Sequence, residues 1–165
     1  QEWYTPEYRA GHYVGHRGLR IADSIRLGDD DPSAVGRWYT TVGTALHVEG
    51  QREVSRSGTI EWYRGLLAAG GFDDAHLDAA DDESHDAHIR AETELALSRT
   101  GKDVGTPILT FRPGTDAENS FFGPVISKAP RGAEAVALWD AVETIATTSG
   151  MSELKRSNRA PLDFT

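Results

Sequence analysis

The sequence predicts an α+β protein, with helices first and a β-hairpin backed by a helix last. Three observations predict it. Residues 13–100 carry apolar side chains at helical spacing, punctuated by glycines and acidic turns. Two short apolar runs, 108–111 and 121–126, flank a polar segment containing Pro113-Gly114, which is the pattern of a hairpin. After Pro130-Arg131-Gly132, the residues Ala135, Leu138, Trp139, Val142, Ile145 and Ala146 fall on one helical stripe. The seam lies at Gly101-Lys102-Asp103. It separates a helical domain, 1–100, from a strand–strand–helix domain, 101–165.

Residues 1–11, aromatic and polar with Pro6 inside, read as a loop. A helix over 13–27 follows, with Val14, Leu19, Ile21, Ala22, Ile25 and Leu27 on its apolar face. Gly15 and Gly18 each weaken it by about 1 kcal/mol relative to alanine. Gly28 and the run Asp29 to Asp31 end it. Asp31-Pro32 opens the next helix, an N-cap acceptor followed by proline at the first helical position. That helix runs to Leu46 with Val35, Trp38, Tyr39 and Val42 apolar. Residues 47–57 are polar and aperiodic and read as a loop.

Residues 59–69 are helical again, with Ile60, Trp62, Tyr63, Leu66 and Leu67, and Gly70-Gly71 stops them. A short helix spans 73–80, with Asp73 or Asp74 at its positive end. Ser84 or Asp82 caps a helix over 85–99 whose inward positions are His88, Ile89, Ala91 and Leu95. After the hairpin and its helix, a short helix over 151–156 and an extended tail from Ser157 close the chain. The tryptophans Trp3, Trp38, Trp62 and Trp139 read as packing residues, with Trp139 anchoring the last helix to the sheet.

Composition narrows the function. The net charge is −9. An acidic chain is a poor partner for nucleic acid, whose phosphates need clustered Lys and Arg. Lys155, Arg156 and Arg159 form a small basic group that reads as a solvated face. No apolar run has the length of a membrane span. With no secretory signal visible, a cytoplasmic location is expected. There is no cysteine, which excludes disulfides and thiolate metal sites within the chain. No Gly-x-Ser-x-Gly elbow and no phosphate-cradling glycine loop occurs.

Four places remain. Thr106-Pro107 reads either as a cis-proline loop or as a trans proline that opens a strand. Phe122 reads as a core aromatic that also lines a pocket. His85 and His88, beside Asp82 and Asp86, have the spacing of metal ligands, but they read as a solvated acidic helix start. The pair His12 and His16 lacks the glutamate of a zinc helix and carries no metal expectation. His47 reads as a helix-end histidine on the last carbonyls or as a ligand contact.

In this order, GTPILTF (105–111), FFGPVISKAPRG (121–132), ALWDAVETIA (137–146) and ELKRS (153–157) resemble the DsbA-like thioredoxin-fold family. The likeness is to its actinobacterial group of mycothiol-dependent oxidoreductases and nitroreductases, and it covers about residues 37–164. The resemblance implies the C-terminal half of a thioredoxin-like fold with a helical insertion. It implies that Gly105, Thr106 and Pro107 hold an extended partner by strand addition. It also implies that His47 and Phe122 contact substrate. No cofactor is expected to bind tightly; mycothiol or a similar small thiol is the implied co-substrate.

That chemistry needs a thiolate. The enzymatic reading therefore places the catalytic cysteine upstream of Gln1. The alternative is a cysteine-free, non-catalytic module that binds extended peptides or small thiols, or a half-fold that assembles with itself. A two-stranded hairpin is marginal alone. An N-terminal segment or a second copy is expected to cover its edge.

Overall fold

The structure, a computed structural model, describes residues 6–164. The chain divides into two compact units, Gln1–Ala91 and Glu92–Thr165.

The first unit is helical. Helix α1 spans Pro6–Gly28. It starts well before the expected residue 13, because proline fits the first helical turn, where its missing N–H has no partner to lose. Residues 1–5, Trp3 among them, lie outside the described residues. α1 buries Val14, Ile21 and Ile25. Leu19 and Leu27, expected on the same face, are exposed. At 3.6 residues per turn they sit about 160° and about 120° around the axis from Ile21.

Helix α2 spans Ala34–His47 and buries Ala34, Trp38 and Ala45. Its start is tied by Asp31, whose carboxylate accepts the Ser33 N–H at 2.8 Å. Tyr39, expected inside, is exposed. Helix α3, Arg52–Ser57, replaces the expected loop. It buries only Ser55, so it has no apolar period to betray it. Helix α4, Ile60–Gly70, buries Trp62, Tyr63, Leu66 and Leu67, and ends on Gly71 in the left-handed region at φ 72°. A 3₁₀ stretch, Asp74–Asp81, is capped by the Asp73 carboxylate on the Ala75 N–H. A second short 3₁₀ turn, Glu83–His85, leads into α5, Asp86–Thr100. The core of this unit joins α1, α2 and α4 with Leu77 and Ala80. On α5, Ala91 and Leu95 are exposed, against expectation.

The second unit carries the hairpin. β1, Ile108–Phe111, pairs antiparallel with β2, Asn119–Phe122, in the register Ile108 to Phe122 and Phe111 to Asn119. The Thr110 and Ser120 hydroxyls bond across the pair at 2.8 Å, a stabilising cross-strand match. The turn is braced by Glu118, which accepts the Gly114 N–H at 2.7 Å and pairs with Arg99 at 3.1 Å. β2 stops at Phe122, short of the expected Ile126, where a cis Gly123–Pro124 bond follows.

Helix α6, Ala133–Thr147, packs on both strands. Trp139 meets the buried Phe111 ring at 5.6 Å between centroids, yet Trp139 stays 51% exposed. It touches the sheet without being sealed against it. Residues 151–156 form no helix, contrary to expectation. The tail is instead drawn beside the 127–128 segment. Asp163 donates its N–H to the Ser127 carbonyl at 2.7 Å, and Lys128 Nζ pairs with the Asp163 carboxylate at 2.7 Å. A backbone hydrogen bond and an ion pair to the 127–128 segment thus hold the end of the tail.

Candidate functional site

The mouth of β1 collects four of the residues singled out from the sequence, Gly105, Thr106, Pro107 and Phe122. The Thr106–Pro107 bond is cis. The Pro107 carbonyl accepts the Gly123 N–H at 2.8 Å, which extends the ladder one step beyond the Ile108–Phe122 pair. The Phe122 ring lies over Gly105: a Cβ placed on Gly105 would stand 3.6 Å from it. Gly105 thus allows the chain to pass close to an aromatic face. Gly105, Thr106 and Pro107 are exposed, and Phe122 is half-buried. Among the described residues β1 pairs only with β2.

His47 belongs to the helical unit, at the end of α2. Its Nδ1 lies 3.0 Å from an Arg52 guanidinium nitrogen. This contact, made by the helix that was expected to be loop, had no signal in the sequence.

The histidines near the start of α5 are not a solvated acidic patch. His85 Nδ1 lies 2.8 Å from Asp23 Oδ2, and His88 Nε2 lies 3.6 Å from Asp23 Oδ1. Arg26 holds the same carboxylate at 2.8 Å. Burial alone would push the Asp23 carboxyl up, but the bonds from His85 and Arg26 outweigh it and hold it below its usual range. His16, instead of pairing with His12, reaches Asp86 at 2.9 Å. The Asp86 carboxyl is held far below its usual range, chiefly by Arg20 and further by His16, against the opposing effect of burial. Arg17 holds Asp81 in the same way, at 2.8 and 2.5 Å. Except for Asp23–Arg26, which is an i, i+3 pair on α1, these pairs join residues more than sixty positions apart, and no local pattern announces them. Among the described residues no group of His, Cys, Asp or Glu is arranged to hold a metal ion.

A hairpin entered through a cis proline, backed by one helix and accompanied by a helical insertion, is a thioredoxin-like architecture of the DsbA type. A family model described as "Rv2466c-like: Mycothiol-dependent nitroreductase Rv2466c" matches residues 5–156. The chain belongs to this Rv2466c-like family. It is 32% identical over 146 residues, 88% of its length, to a protein of Mycobacterium tuberculosis (strain ATCC 25618 / H37Rv) named "Uncharacterized protein Rv2286c". The chain spans 57% of that relative's length.

Membership corrects the functional expectation. The matched stretch contains no cysteine, nor does the rest of the chain. Thiolate is the attacking group in thiol–disulfide exchange, and this chain supplies none. The reading of the chain as part of a mycothiol-dependent oxidoreductase or nitroreductase is therefore corrected on this ground: the family match runs over a stretch that carries no thiolate of its own. Mycothiol or another small thiol as co-substrate, and a small-thiol partner, fall with it. The cysteine-free, non-catalytic reading is the better supported. No helix among the described residues is long and apolar enough to cross a membrane.

Proposed function

We propose that this chain is a non-catalytic, thioredoxin-like binding module that receives an extended polypeptide strand along β1. Gly105, Thr106, Pro107 and Phe122 form the receiving surface. The observation that carries this reading is the pairing of β1, which has a partner on one edge only among the described residues. An unpaired edge offers a row of N–H and C=O groups to an added strand. The exposed Gly105–Pro107 segment leads into that edge, and Phe122 offers an apolar face beside it. A cytoplasmic location belongs to the same reading.

The test is amide hydrogen exchange at Ile108 to Phe111, with and without a cysteine-free peptide alternating valine and threonine. Saturable binding that slows exchange there, and that is lost when alternate peptide nitrogens are methylated, supports strand addition. Equal binding of the methylated copy, or no protection at any peptide concentration, overturns it. Protection that grows with the concentration of the chain itself, without peptide, replaces it by self-pairing.

A further inference from the structure

The end of the chain is seated on the segment that follows β2. Asp163 donates its N–H to the Ser127 carbonyl at 2.7 Å, and the Ser127 hydroxyl donates to the Ala160 carbonyl at 3.0 Å. Lys128 Nζ meets the Asp163 carboxylate at 2.7 Å. The two backbones run parallel there, with Lys128 beside Asp163. Seat and occupant of a short strand pairing are thus both in view.

The tail is lightly held. The Ser127–Ala160 bond and the Lys128–Asp163 pair are both exposed, and exposed ion pairs add little stability. Residues 152–162 are exposed throughout. The pairing also leaves its own apolar side chains uncovered. Val125 and Ile126, just before Ser127, are 48% and 42% exposed. Leu162 and Phe164, on either side of Asp163, are 61% and 48% exposed. Four large apolar side chains therefore gather within two residues of one backbone bond, and neither segment seals the other. An exposed apolar patch of this kind marks contact with another molecule.

The connection from α6 allows a second copy to supply the tail. Residues 148–159, between the end of α6 and Ala160, form no helix or strand. Extended, such a stretch reaches up to about 40 Å. Every copy carries Ser127, Lys128 and Asp163, so a tail from another copy makes the same three bonds on this seat.

We propose that two copies of this chain exchange tails: residues 160–164 of each seat on residues 125–128 of the other, and the apolar groups at the two seats cover one another. Reciprocal exchange closes on itself with two-fold symmetry and stops at a dimer. It engages two seats in one association, which a free peptide cannot do. This seat is separate from the β1 edge, and the exchange stands whether or not β1 receives a strand.

Charge reversal tests it. Lys128→Asp leaves two carboxylates at the seat, and Asp163→Lys leaves two ammonium groups. Both side chains are partly exposed, at 62% and 39%, so the fold tolerates either change. Neither variant has a match within one chain or between two identical chains. Mixed, the two variants match at both seats, but only if the tails cross. Sedimentation velocity should show a dimer in the mixture at a concentration where each variant alone is a monomer. Each reversal alone should weaken self-association of the unaltered chain by about tenfold, since both exchanged pairs turn from attraction to repulsion. Ending the chains at Asn158 should abolish the mixed dimer. The proposal is overturned if the mixture sediments as its separate parts up to about 1 mM. It is equally overturned if the dimer survives loss of the tails, the result that pairing through β1 would give.

Discussion

Arg20 and Asp86 meet fork to fork, Nε to Oδ1 at 2.7 Å and Nη2 to Oδ2 at 2.8 Å. The Arg20 side chain is only 7% exposed. A planar guanidinium makes both bonds at once, and an ammonium cannot. Arg20→Lys should therefore lower the urea midpoint clearly more than Arg64→Lys does. The Arg64–Asp74 pair is exposed on both sides, and such pairs contribute about 0–1 kcal/mol. Equal losses from the two variants would show that the fork adds nothing.

Acid should loosen the helical unit. The carboxyls of Asp23, Asp81 and Asp86 are held below their usual range in the folded chain. A depressed carboxyl contributes its full stability above the unfolded value, about 3.9 for aspartate, and loses it as pH falls towards the folded value. Stability should hold from neutral pH down to about 4 and then drop steeply. Urea unfolding across that range measures it. Asp86→Asn should flatten the drop, and an unchanged slope would remove Asp86 from this account.

Tyr63 is buried, and its hydroxyl donates to the Val14 carbonyl at 2.8 Å. Burial pushes its phenol up to about 12. An ultraviolet titration should show one tyrosine ionising well after the rest, and Tyr63→Phe should remove that late step. Since the unfolded phenol ionises near 10, stability should fall as pH rises above about 10. At neutral pH the same variant should cost about 1 kcal/mol, the net worth of one hydrogen bond.

On the hairpin, Phe111 and Trp139 are in ring contact but differ in burial, at 7% and 51% exposed. Phe111→Ala removes a buried side chain and should cost roughly 3–5 kcal/mol. Trp139→Ala should cost about 1 kcal/mol, from the lost ring pair and part of the covered area. Thermal unfolding of the two variants separates them, and equal costs would mean that Trp139 is a core residue in solution.

Much of this architecture was legible from local chemistry. Gly70-Gly71 ends α4 because only a residue tolerant of positive φ closes a helix this way. Ile60, Trp62, Tyr63, Leu66 and Leu67 mark their helix by spacing alone. Pro113-Gly114 between two apolar runs marks the hairpin. The Thr106–Pro107 segment and Phe122, at the mouth of β1, were legible through the motif that contains them. α3 was not legible, because a short helix that buries one serine has no period. Nor was the absence of helix at 151–156, or the return of the tail by which Asp163 bonds across to Ser127.

Spacing, caps and turn residues act within a few positions, so they set the order and kind of the elements before any contact forms. The missing cysteine belongs with them: composition alone removes thiolate chemistry from this chain. Contacts between distant residues answer to packing. Asp23 gathers His85 and His88, and Asp86 gathers His16 and Arg20. Those arrangements depend on which helix faces meet, which the hydrophobic core decides and local propensity does not. For that reason the mouth of β1 could be anticipated, and the ion pairs that Asp23 and Asp86 make with residues more than sixty positions away could not.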